Sequence, residues 1–131
     1  MLNIVTGHIC SGKTTLVNSR AACGDVIIDL DAMALAMTPQ ATPHHVYPPH
    51  AREIARFAWW TAVEAAVRMH RKHKFTAWII HAYPTAGDLS AYRTWRATII
   101  ALDTDPQLCL ARAREQRPTW VVAELEKRLR E

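Results

Sequence analysis

Cysteine is scarce and poorly spaced for either of its usual structural roles. The 131 residues hold three, Cys10, Cys23 and Cys109, an odd number with no CxxC pair. That pattern excludes a disulfide scaffold or a zinc knuckle and fits a reducing compartment. Long apolar runs are missing as well. No stretch reaches 18 consecutive apolar residues, and the opening Met-Leu-Asn-Ile-Val-Thr-Gly carries no basic side chain, so neither a membrane span nor a signal peptide is expected. Repeats, low-complexity tracts and linkers are absent, and the length suits one domain over 1–131. Half of the residues are hydrophobic and 21% are charged, the balance of a packed globule rather than a disordered chain. The formal charge of +4, with seven histidines uncounted, suits an anionic ligand or nucleic acid and equally an ordinary basic surface.

Strand-like and helix-like segments alternate along the chain. Leu2 to Thr6 is a short apolar run stopped by Gly7, and Lys13 to Arg20 is helix-compatible. Asp25 to Asp29 is a second β-branched run, and Ala32 to Met37 a short helix. Thr38 to Pro49 holds Pro39, Pro43, Pro48 and Pro49 and reads as a loop. Ala51 to His73 is the longest helix, with Ile54, Ala58, Thr61, Ala62, Ala65 and Met69 expected to form its buried face and a basic last turn at His70 to Lys74. Thr76 to Ala82 is a third strand. Thr85 and Asp88 have capping-box spacing for a helix to Arg96. Ala97 to Leu102 is a fourth strand, and Asp105-Pro106 starts a helix to Gln116. A final helix runs from Thr119 to Arg130. The alternation predicts an α/β fold, a parallel sheet with helices on both faces; four strands in the order 2-3-1-4 are expected.

Gly7-His8-Ile9-Cys10-Ser11-Gly12-Lys13-Thr14 matches GxxxxGK[ST] at every fixed position. It stands where the pattern has mechanical meaning, after a strand and before a helix. The two glycines allow a tight turn whose amide hydrogens face phosphate oxygens, and the following helix adds the positive end of its dipole. Lys13 is expected to reach the β- and γ-phosphates and the Thr14 hydroxyl to ligate Mg²⁺, with ATP or GTP held along Gly7 to Thr15. The spacing therefore marks a P-loop. Asp29 and Asp31 follow the second strand, at the sheet edge where ligands bind. Phosphoryl transfer needs a base for the acceptor hydroxyl, and one of the two can supply it. A helix N-cap at Asp31 explains one aspartate and not both.

GHICSGKTT, then VIIDLD, then DTDPQLCLARAREQRP resembles the small P-loop kinases of the gluconate kinase, adenylylsulfate kinase, chloramphenicol phosphotransferase and polynucleotide kinase group. It is also similar to short phage-encoded members, some of which phosphorylate 5-hydroxymethyluracil in DNA. The resemblance runs from Leu2 to Pro118, and only the phosphate loop in it is highly specific. It implies a kinase working in the cytoplasm, that of the host if phage-encoded. Asp31 is then the base that binds the acceptor hydroxyl, and Asp29 supports the metal or the loop. It also implies that arginines of the penultimate helix and its exit reach the β- and γ-phosphates, Arg117 first, Arg112 second, with Arg114 more readily a solvated residue.

Departures from the pattern limit the reading. The third strand ends Trp78-Ile79-Ile80-His81-Ala82-Tyr83 without a carboxylate, which counts against motor-type ATPases and suits a small kinase holding Mg²⁺ through Thr14, phosphates and water. His81 and Tyr83 sit at the strand's active end, either touching substrate or simply hydrogen-bonded. Arg117 runs straight into Pro118, which leaves little closing lid and an open site. Of five tryptophans, Trp78 reads as core and Trp59 and Trp60 as differently buried. Trp95 and Trp120, near Arg93, Arg96 and Arg117, are placed either to stack on bases or to pack. The loop residues His44, His45, Tyr47 and His50 offer hydrogen bonds and stacking without a cluster of fixed cations, which suits a nucleoside or sugar hydroxyl. A nucleic-acid acceptor would add Arg52, Arg56, Arg93 and Arg96 as backbone contacts. The expected activity is transfer to a nucleotide or nucleic-acid hydroxyl. The alternatives are a sugar or antibiotic kinase, a slowly hydrolysing nucleotide switch, and a protein that only grips backbone phosphate.

Overall fold

A computed structural model describes the chain from Met1 to Glu131. β1 (Leu2–Thr6) is buried at all five positions, as a strand covered on both faces must be. It pairs in parallel with β3 (Ala77–Ile80) on one side and β4 (Thr98–Ala101) on the other, and β2 (Val26–Ile28) pairs with β3. The order is β2-β3-β1-β4, the arrangement expected. β2 is shorter than its β-branched run because Asp25 turns away: its carboxylate accepts from Ala22 N and from Trp78 Nε1.

The register brings Ile4 beside Ile79 and Ile99, and Ile28 beside Ile79. With Leu2 and Ala77 they face α3 (Pro49–Met69) and α4 (Ala86–Thr94), which add Trp59, Val63, Ala66 and Tyr92 to one core. The alternate residues Val5, Trp78 and Ile80 face α1 (Lys13–Arg20) through Val17. Burying each large apolar side chain contributes about 1.5–3 kcal/mol. α2 (Leu30–Ala36) packs on α3, and α5 (Pro106–Gln116) with α6 (Thr119–Arg130) forms a pair whose Cys109, Leu110, Ala113 and Leu125 meet Ile9 and Cys10. That last contact joins the C-terminal helices to the loop from Gly7 to Thr14. No helix is long and apolar enough to cross a membrane.

The long helix departs from expectation in two respects. Its buried face is Ala51, Ala55, Trp59, Val63 and Ala66, whereas Ile54 is 57% and Met69 49% exposed. Alanine fits any face, so the periodicity of small residues misled; the bulky Trp59 and Val63 set the rotation. It also starts earlier and ends sooner. Pro49 is its first residue, a position where the missing N–H costs nothing. His70 closes it, buried, its Nδ1 bonded to the carbonyls of Ala66 and Val67, and Lys74 turns left-handed at φ 54°. The basic run is therefore a turn and not a last helical turn. Trp95 packs against the α3 and α4 core.

Candidate active site

The loop from Gly7 to Thr14 is built on three backbone conformations unusual for L-residues. Gly7 has φ 145°, Cys10 φ 63° and Gly12 φ 98°. At Gly7 the glycine is required twice over, because a Cβ would lie 2.7 Å from Ser11 Oγ and 3.1 Å from the Leu102 carbonyl. Four neighbours brace the turn from outside. Thr104 Oγ1 donates to Ser11 O (2.8 Å) and Arg112 Nη1 to Cys10 O (3.2 Å). The Tyr83 hydroxyl accepts from Ile9 N and bonds His8 Nδ1, each at 3.2 Å, and Arg128 lies 4.4 Å above the Tyr83 ring. Lys13 folds back over its own loop: Nζ donates to Gly7 O at 2.8 Å and His8 O at 2.6 Å. Burial lowers Lys13 to about 8, against the pull of nearby acidic groups including Asp31 and Asp29.

β2 delivers the acidic pair. Asp29 is the N-cap of α2, accepting from Asp31 N at 3.3 Å, so the cap falls on Asp29 and not on Asp31. The chain leaves β2 extended at Asp29 and turns helical at Leu30, two residues before the expected start. Burial, and then the charge of Asp31, raise the Asp29 carboxyl above its usual range. Asp31 Oδ1 accepts a hydrogen bond from the Tyr47 hydroxyl and stands 3.8 Å from His45 Nδ1. Tyr47 and His45 are both buried although they belong to the proline-rich loop. Burial and the bond to Asp31 push the Tyr47 phenol up. Burial depresses His45 to about 4, with Arg117 and Arg52 acting in the same direction. His45 is therefore neutral at pH 7 and meets Asp31 as a dipole. His44 is exposed, its ring 4.0 Å from that of His45.

These elements enclose one cleft of about 1380 Å³. Cys10 to Thr15, Asp29, Asp31, His44, His45, His81, Tyr83, Arg112 and Arg117 all line it. Gly7 and His8 lie behind its wall, meeting it only through the carbonyls that hold Lys13. Arg52 and Arg56 also face it, whereas Arg93 and Arg96 do not; both lie on the surface near the end of α4. The loop's lack of fixed cations is thus made up from α3 and from Arg117.

His81 is held on both sides. Nδ1 shares a 2.7 Å bond with the Tyr92 hydroxyl, Nε2 lies 3.9 Å from Asp88, and the Trp59 and Trp60 rings stand edge-on to it at 4.9 and 5.8 Å. Burial lowers its pKa. Tyr83, expected as a substrate contact, has its hydroxyl committed to the loop from Gly7 to Thr14. No group of three or more His, Cys, Asp or Glu side chains is placed to hold a metal. Thr14, which is exposed, and Asp29 both line the cleft; an ion such as Mg²⁺, which keeps most of its water and phosphate ligands, needs few protein ligands.

Two braces of the loop went unnoticed in the sequence. Thr104 lies just past the carboxyl end of β4, and the rule that ligands gather at that edge would have found it. Arg128 carries no such signal, since only the packing of α6 brings it to Tyr83. No protein-family model matches the chain, and no curated protein is significantly similar to it. The functional reading rests on the residues of the cleft.

Proposed function

We propose that this chain is a kinase that transfers the γ-phosphoryl group of ATP or GTP to a hydroxyl of a nucleotide or nucleic acid. One observation carries the reading: a glycine-built phosphate loop and Asp31 line the same cleft. In this reading the amides of Ser11 to Thr15 and the start of α1 receive the phosphates. Lys13 exchanges the Gly7 and His8 carbonyls for phosphate oxygens, and the incoming charge restores its proton affinity. Arg112, already on the loop, is within reach of the same oxygens, and Arg117 approaches from the acceptor side. Asp31 takes the acceptor's proton as the new O–P bond forms and the bond to the β-phosphate oxygen breaks, leaving a nucleoside diphosphate. Bound Mg²⁺, with Thr14 and Asp29 at hand, supplies charge neutralisation on the phosphates.

Incubation with γ-labelled ATP tests the proposal, against nucleosides, sugars, 5′-hydroxyl oligonucleotides and DNA containing 5-hydroxymethyluracil. Label is expected on a nucleic-acid or nucleotide hydroxyl. Asp31→Asn should abolish transfer while ATP binding survives. Label only on a sugar would move the substrate class. No labelled acceptor under any condition, with nucleotide bound, would leave a switch and not a kinase.

A further inference from the structure

Three buried polar atoms have no hydrogen-bond partner: His45 Nε2, Arg52 Nε and Trp59 Nε1. All three belong to residues lining the cleft. Native proteins rarely leave such groups unsatisfied, so three in one cleft point to a ligand that completes them. Two are obligate donors, an indole N–H and a guanidinium N–H, and the ligand must therefore present acceptor atoms.

The cations of the cleft divide in the same way. Lys13 and Arg112 are bonded to carbonyls of the loop from Gly7 to Thr14, and Arg128 is paired with Glu124 and Glu131. Arg52, Arg56 and Arg117 make no ion pair, the arginine pairs of the chain being confined to Arg114 and Arg128. Arg117 donates only to the neighbouring Gln116 carbonyl, and Arg52 lies 5.6 Å over the Trp120 ring. The charges of Arg52 and Arg117 are felt at His45, and that of Arg52 at Tyr47, which puts these cations around the two residues that hold Asp31. Asp31, in the same cleft, has its Oδ1 already accepting from Tyr47. Guanidinium groups that face a cleft without an ion-pair partner favour a bidentate oxyanion.

We propose that the acceptor end of the cleft is an oxyanion subsite, in which Arg52, Arg56 and Arg117 hold a phosphate or carboxylate of the acceptor while Trp59, Trp60 and His81 wall its body. The word acceptor rests on the kinase reading; the subsite rests on the unpartnered donors and unpaired arginines. The oxyanion has two sources, a monomer's own phosphate or carboxylate, or the phosphodiester of a strand.

Quenching of tryptophan fluorescence, with a non-hydrolysable ATP analogue present, measures binding without turnover. The probes are matched pairs: uridine and uridine 5′-monophosphate, glucose and gluconate, and a short oligonucleotide in methylphosphonate and in phosphodiester form. At least one anionic probe should bind about tenfold or more tighter than its neutral partner. The double variant Arg52→Gln/Arg56→Gln should erase most of that preference and leave affinity for the ATP analogue unchanged; Arg117→Gln should weaken the preference as well, whatever it does to the ATP analogue. A preference confined to the oligonucleotide identifies the phosphodiester, and one shown by a monomer identifies the monomer's own anion. Equal affinity within all three pairs, or a full preference retained by the variants, overturns the proposal. If the preference holds but no probe accepts label from ATP, the kinase reading falls and the subsite stands.

Discussion

Replacing Gly7 and Gly12 by alanine, one at a time, separates two costs that the loop from Gly7 to Thr14 imposes. Gly12 sits at φ 98° with open space where a Cβ would go, so Gly12→Ala meets backbone strain alone, about 1–2 kcal/mol. Gly7 sits at φ 145°, and its added Cβ would stand 2.7 Å from the Ser11 hydroxyl and 3.1 Å from the Leu102 carbonyl. The hydroxyl can rotate; the Leu102 carbonyl, just past β4, has less freedom, because the Leu102 amide is itself bonded to Thr6 O. Strain of roughly 1–3 kcal/mol then adds to overpacking of roughly 1–3 kcal/mol. Gly7→Ala should therefore cost about twice what Gly12→Ala costs, a large share of the ~5–15 kcal/mol that holds a domain folded. Urea unfolding followed by tryptophan fluorescence reads both. Nucleotide affinity, measured on whatever remains folded, should fall in both variants because the amides are re-aimed. Equal destabilisation by the two substitutions would refute the claim that Gly7 is wedged between Ser11 and the end of β4.

Lys13→Ala should abolish nucleotide binding in calorimetry while leaving the fold intact, since Lys13 bonds only its own loop; unchanged affinity would remove the site assignment. Tyr47→Phe strips Asp31 Oδ1 of its donor and should cost about 1–3 kcal/mol in denaturant unfolding, with the proline-rich loop more readily cleaved by protease; unaltered stability and cleavage would mean the loop is held elsewhere. The depressed pKa of His45, about 4 against an ordinary 6.5, makes the unfolded chain bind the extra proton between those values. Stability should thus fall as pH drops through that window, by at most about 1.4 kcal/mol per pH unit from this group, and His45→Gln should flatten the curve; an unchanged slope refutes the assignment. On α3, Ile54→Gln should be nearly neutral and Ala55→Leu should cost about 1–3 kcal/mol, the reverse of what the apolar spacing suggests.

Local rules made much of this protein legible without coordinates. The strand runs, the Asp105-Pro106 and Thr85-Asp88 helix starts and the GxxxxGK[ST] loop depend on residues close in the chain, and the elements they mark are present at those places. Alternation of strand and helix pointed to a parallel sheet covered on both faces, and the expected order 2-3-1-4 is the one the sheet has. What local rules could not reach were choices made by packing between distant segments. The rotation of α3 was decided by Trp59 and Val63 seeking the sheet, while its alanines were indifferent to which way they faced. Tyr83 was drawn to the Gly7 to Thr14 loop 74 residues away, and Tyr47 to Asp31. Arg52 and Arg56 stand one turn apart on α3, but Arg117 reaches the same cleft from the exit of α5, and no spacing in the sequence connects it to them. Periodicity encodes which residues share a face; which face is buried, and what meets it, depends on surfaces that only the folded chain brings together.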